Sequence, residues 1–99
     1  MAATYTLRVV TEFAAAHTLR GYEGSCSRLH GHNWKVEVEI RAAELDELGM
    51  GVDFREIRRA AREVTAALDH RYLNELEPFT AVNPTAENIA AYCFREIGA

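Results

Sequence analysis

Apolar and polar positions alternate along two stretches of the chain, and then the period changes. In residues 4–14, Tyr5, Leu7, Val9 and Phe13 fall on one side, and Thr6, Arg8, Val10 and Glu12 on the other. Successive side chains of an extended backbone point to opposite faces, so this pattern predicts a half-buried strand with Val10 as its one imperfect position. A cleaner alternation sets Trp34, Val36, Val38 and Ile40 against Lys35, Glu37, Glu39 and Arg41. Alternation that regular argues for an antiparallel sheet with one covered face. Residues 18–29 hold Gly21, Gly24, Ser25 and Ser27 without any period and read as a loop, so the two strands form one long hairpin-like unit.

After a loop around residues 45–51, the apolar positions Phe54, Ile57, Ala61, Val64 and Leu68 take helical spacing. They predict a helix of about four turns whose apolar stripe covers the sheet. Asp53, with Glu56 three residues on, is a loose capping box at its start. The helix ends near Asp69 and His70, and a polar connection through Asn74, Glu75, Glu77 and Pro78 follows. A second helix begins near Thr85, just after Pro84, with Ile89, Ala90, Cys93 and Ile97 on one side and Gly98 at its end. The expected fold class is α+β in a single domain over residues 1–99: an antiparallel sheet with two helices packed on one face, in the order β-β-α-α. Two strands alone seldom make a stable sheet and leave both edges unpaired. The expectation is therefore that the strands pair with other subunits, or that part of the sheet lies outside this sequence.

Composition adds exclusions. A chain of 99 residues with 48% apolar and 26% charged residues has the make-up of one ordinary soluble domain. The formal net charge of −4 gives no general attraction to nucleic acid or to anionic membranes, and neither is expected as a partner. A phosphate-bearing substrate would need local basic groups, such as Arg28, or a metal. The N-terminal Met1-Ala2-Ala3-Thr4 has no signal-peptide character, and no run approaches the ~20 apolar residues of a membrane span, so a cytoplasmic location is expected. In that reducing setting Cys26 reads as a thiol rather than half of a disulfide, and Cys93, on a helical apolar stripe, as a small core residue.

The candidate chemistry gathers in Cys26-Ser27-Arg28-Leu29-His30-Gly31-His32-Asn33-Trp34. In an extended backbone His30 and His32 project to one face, and His17, ending the preceding strand, is the obvious third imidazole. Three neutral imidazoles with an open coordination position are the composition of a catalytic zinc site. A histidine on an apolar face is also an ordinary hydrogen-bonded core residue, and spacing leaves both readings open. Cys26 is either an idle loop thiol or, beside a metal and Arg28, a thiolate able to act as base or nucleophile. Asp69 and His70 either interact with nearby polar groups and the helix C-terminus, or form a carboxylate–imidazole pair that carries protons. Neighbours on a helix do not face each other, so contact between them within one subunit is not required. Glu87 reads by default as a favourable helix-start carboxylate.

Five segments, taken together, resemble the 6-pyruvoyl-tetrahydropterin synthase family. They are Phe13-Ala14-Ala15-Ala16-His17, Cys26-Ser27-Arg28-Leu29-His30-Gly31-His32, Val52-Asp53-Phe54, Leu68-Asp69-His70-Arg71-Tyr72-Leu73-Asn74 and Asn83-Pro84-Thr85-Ala86-Glu87. They come in that family's order and cover nearly the whole chain. The three residues between Cys26 and His30 resemble the bacterial 6-carboxy-5,6,7,8-tetrahydropterin synthase branch of queuosine biosynthesis; the 6-pyruvoyl enzymes typically have a longer spacer. The resemblance implies a T-fold, with His17, His30 and His32 holding Zn2+ and Cys26 as the proton-abstracting thiolate. Asp69 and His70 would be a proton relay contributed from a neighbouring subunit, and Thr85 and Glu87 match positions near the pterin pocket. It implies a lyase that converts 7,8-dihydroneopterin triphosphate to 6-carboxytetrahydropterin, acetaldehyde and triphosphate, in a homo-oligomer, usually a hexamer. The alternatives are the 6-pyruvoyl reaction and a non-catalytic pterin- or zinc-binding homologue. Family members also continue past the second helix into two more strands that carry a pterin-anchoring glutamate; these segments are absent from the 99 residues.

Overall fold

The computed structural model describes residues 3–24 and 28–98. Strand β1 runs over Tyr5–His17 and β2 over His30–Ala42. They pair antiparallel in an unbroken register from Tyr5 opposite Ala42 to His17 opposite His30. Phe13 stands opposite Trp34 and Val9 opposite Val38, so the two alternating patterns are in phase and share one inward face. Val10 points the other way and is 50% exposed.

Helix α1 spans Phe54–Leu68, its Asp53 carboxylate accepting the Arg55 N–H as an N-cap. It turns Ile57, Ala61, Thr65 and Leu68 inward, and the Thr65 and Thr11 hydroxyls meet at 3.3 Å. Helix α2 spans Ala86–Gly98 and buries Ile89 and Cys93. Thr85 caps it by accepting the Asn88 N–H at 3.1 Å. The core joins Phe13 and Ala15 of β1 to Leu68, Leu73, Phe79, Ile89 and Cys93. Leu73 and Phe79 belong to the connection between the helices, which is therefore packed into the core.

The order β-β-α-α holds, with one addition. After α1 a two-residue strand β3, Arg71–Tyr72, pairs parallel to β1 and makes a mixed three-stranded sheet in the order β2-β1-β3. Two residues are too few to show a period, so alternation could not reveal it. A single 3-10 turn over Leu73–Glu75 follows.

The helices cover β1 more fully than β2. Trp34, Val36, Val38 and Ile40 are only half-buried. They line an open groove of roughly 680 Å3 whose other wall is Ile89, Cys93 and Ile97 of α2. No described helix is long and apolar enough to cross a membrane.

Candidate metal centre

The register that builds the core also builds the site. His17 faces inward like Phe13 and Ala15, four and two positions before it, and its cross-strand partner is His30. His32 is opposite Ala15, on the same face and diagonal to His17. Gly31 falls between the two β2 histidines, where a Cβ would point at the Ala15 carbonyl oxygen from 4.0 Å. The inward stripe thus changes from apolar side chains to three imidazoles at the end of the hairpin that bears the 18–29 connection.

Each imidazole offers one nitrogen to a common region, and these three nitrogens lie within 4.8 Å of one another. Among the described residues no other group of three or more His, Cys, Asp or Glu side chains is so arranged. The cluster runs from buried His17 through half-buried His30 to exposed His32, so it is anchored in the core and open to solvent on one side. The Trp34 ring stands edge-on to both His17 and His32, with centroids 5.0 and 5.3 Å away.

The hydrogen bonds fix which nitrogens face inward. His17 Nδ1 is 2.7 Å from the Pro84 carbonyl oxygen, and His30 Nδ1 is 2.6 Å from that of Arg28. A carbonyl oxygen only accepts, so both Nδ1 atoms carry hydrogen and donate. In the neutral rings this leaves both Nε2 atoms with bare lone pairs, yet they face each other at 3.0 Å. Two acceptors at that distance repel unless a cation lies between them. Tetrahedral Zn–N bonds of 2.0–2.1 Å would put two such nitrogens about 3.3 Å apart. The donor set therefore fits a divalent metal held by three imidazoles. Burial pushes the His17 pKa down, with His30 and His32 acting in the same direction against the opposing Pro84 hydrogen bond. That keeps His17 in the neutral form a metal requires.

Asp69 and His70 lie outside this cluster. Helix α1 ends at Leu68, Asp69 is extended, and His70 adopts a left-handed backbone with φ 57°. This departs from the expectation drawn from helical neighbours. Off the helix, the two side chains do meet, with His70 Nδ1 3.0 Å from Asp69 Oδ2. Both are tied to β1: Ala14 N–H donates to Asp69 Oδ1 at 2.8 Å, and His70 N–H donates to the Ala14 carbonyl at 2.5 Å. The Ala14 hydrogen bond, then that of His70, hold the Asp69 carboxyl below the usual carboxylate range. His70 borders a shallow depression with Ala14, Ala16, Gly31 and Asn33 of the sheet's outward parity and with Ala15 and His32 of the inward one. Of the three clustered histidines, His32 thus shares that depression with His70.

Cys26 lies outside the described residues. Thr85 and Glu87 sit at the start of α2, directly after Pro84, so the turn that receives the His17 Nδ1–H leads into them. What the pattern reading missed is the set of asparagines around that turn. Asn74 pairs with the Thr18 backbone through both its amide atoms, and Asn83 does the same with Arg20. Their polarity marked them only as loop residues; the signal in the sequence was Pro84 preceded by Asn83, a side chain able to mimic a backbone strand.

A T-fold sheet with three convergent imidazoles at one end of its long hairpin defines a class of metal-centre protein. The profile of the 6-pyruvoyl tetrahydropterin synthase family matches residues 6–99, and the chain belongs to that family. It is similar to a putative 6-carboxy-5,6,7,8-tetrahydropterin synthase of Archaeoglobus fulgidus, 43% identical over 89 residues that are 90% of this chain and 72% of that protein. The 6-carboxy-5,6,7,8-tetrahydropterin synthase of Rickettsia typhi is 34% identical over 87% of this chain and 75% of its own length. The solved structure of the Caenorhabditis elegans 6-pyruvoyl tetrahydropterin synthase superposes with a TM-score of 0.86 at 30% identity, covering 96% of this chain and 77% of that one.

Proposed function

We propose that the chain is a zinc-dependent 6-carboxy-5,6,7,8-tetrahydropterin synthase, a carbon–oxygen lyase. It would convert 7,8-dihydroneopterin triphosphate and one water to 6-carboxytetrahydropterin, acetaldehyde and triphosphate. The observation that carries this reading is the pair of Nδ1-capped imidazoles, His17 and His30, turning bare Nε2 atoms toward each other with His32 alongside. Family membership and relatives bearing the 6-carboxy name support the choice of reaction.

In this reading His17, His30 and His32 would hold Zn2+ at the end of the cluster open to solvent, where the substrate's side-chain hydroxyls would bind. Zinc supplies Lewis acidity that stabilises negative charge on those oxygens. The Cys26 thiolate takes the carbon-bound proton. Asp69 orients His70 through Nδ1, which leaves His70 Nε2 as the nitrogen that gives or takes a proton. By resemblance, that pair would serve the centre of a neighbouring copy in a homo-oligomer, a hexamer. Thr85 and Glu87 are assigned to the pterin pocket, and the protein to the cytoplasm.

The 6-pyruvoyl reaction is the second reading, favoured by the C. elegans superposition. Acetaldehyde among the products identifies the carboxy reaction; its absence alongside substrate consumption identifies the other. Cys26→Ala should retain stoichiometric zinc by elemental analysis while turnover drops roughly 10²–10⁴-fold, the range of a lost general base. Zinc-loaded wild-type protein that never consumes the substrate would move the assignment to a non-catalytic binding homologue.

A further inference from the structure

The inward turn of His17 depends on a carbonyl that belongs to another part of the chain. Pro84 is fully buried, and its oxygen takes the Nδ1–H of His17 at 2.7 Å. Where that oxygen points is set by the turn over residues 83–85, and Asn83 governs the turn from both sides. Its backbone carbonyl accepts the Thr85 N–H and the Asn88 side-chain amide, each at 2.8 Å. Its own side chain accepts the Arg20 N–H at 2.9 Å and donates to the Arg20 carbonyl at 3.1 Å. The Arg20 guanidinium then reaches back to the carbonyls of Phe79 at 2.8 Å and Val82 at 3.1 Å. One amide thereby joins the strand end that carries the His17 ring to the turn that carries its acceptor. Through one link Asn83 holds Arg20, three residues after His17, and through the other it is adjacent to Pro84.

We propose that Asn83 is a positioning residue of the metal centre: by docking the Pro84 turn onto the segment after His17, it fixes the Nδ1–H tautomer that points Nε2 at the metal. This deepens the zinc reading and rests on it. Without the clamp the Pro84 carbonyl is no longer held at its distance, and the His17 proton is free to move to Nε2. A ring with hydrogen on Nε2 presents no lone pair to the cluster. Partners that orient a ligating histidine in this way are worth roughly 10–100-fold in metal affinity.

The test compares Asn83→Ala with Asn74→Ala, which cuts the other asparagine clamp, at Thr18, without touching the Pro84 turn. Two quantities are read: zinc affinity by competition with a chromogenic chelator, and the His17 tautomer by imidazole 15N NMR of the zinc-free chain. The tautomer is recorded at about pH 8, above the ordinary imidazole range. Wild type should show a single Nδ1–H form of His17. Asn83→Ala should bind zinc roughly 10–100-fold more weakly and show a mixture of tautomers. Asn74→Ala should keep the Nδ1–H form whatever it does to the melting temperature. If Asn83→Ala fails to fold, Asn83→Asp substitutes for it, keeping the acceptor for the Arg20 N–H and losing the donor, with an intermediate effect expected. An unchanged tautomer and affinity in the Asn83 variant, or equal effects from both asparagines, overturns the proposal. Wild-type protein that binds no zinc removes the metal reading, and the tautomer comparison still decides the role of Asn83.

Discussion

At the scale of single residues, Asp69 shows how a side chain can be committed to structure and chemistry together. Its carboxylate takes the Ala14 N–H on the edge of β1 and faces the His70 ring at 3.0 Å. Those two partners, the Ala14 hydrogen bond first, lower its pKa. A carboxyl with a folded pKa below its unfolded one binds protons less readily when folded. Its stabilisation is therefore complete above the ordinary aspartate value of about 3.9 and is lost as pH falls through the lower folded value. Asp69→Asn should melt below wild type at neutral pH, with the gap closing at acid pH once both side chains are uncharged. Melting curves across the acid range check this; a gap that stays constant with pH would show that the charge contributes nothing. The histidines were legible in the sequence because strand parity says which residues share a face. The contact of Asp69 with His70 was not, because it depends on His70 leaving the helix with φ 57°, a conformation rare for a residue with a Cβ.

At the scale of elements, period carried most of the reading. β1 and β2 follow from alternation, and α1 from apolar spacing behind an Asp53 cap. The end of β1 is different, since Ala14, Ala15 and Ala16 carry no contrast and alternation stops short of them; the pairing with β2 bears out the placing of His17 at the strand's end. The connection between the helices read as polar loop, yet Leu73 and Phe79 there are fully buried. Single apolar residues in an aperiodic segment give no signal until the core they fill is known. Thr85 illustrates a second ambiguity, because its hydroxyl caps α2 through the Asn88 N–H while resemblance assigns it to the pterin pocket. Thr85→Ala should cost about 1 kcal/mol in urea unfolding, the usual value of a lost N-cap, and Thr85→Ser should restore it. If Thr85→Ser restores stability but leaves substrate KM raised, the methyl group has a separate part in binding.

At the scale of the whole molecule, shape and topology bear on how many copies make the working unit. A compact chain of about 100 residues has a radius of gyration near 13 Å, whereas this one has 16.3 Å and extents of 51 × 26 × 20 Å. The long β1–β2 hairpin accounts for the elongation. Among the described residues β2 has a partner on one side only, so a 13-residue strand presents an open edge. Its inward residues Trp34, Val36, Val38 and Ile40 are half-buried at best. Strand edges of this length invite pairing with another chain. The chain should therefore sediment and scatter as a species several times its monomer mass of 11.1 kDa. The β2 amides that point away from β1 should exchange hydrogen more slowly as protein concentration rises, while the amides bonded to β1 should not change. A monomer at every concentration, with the outward β2 amides exchanging freely, would mean that a site shared between copies does not form from this chain alone.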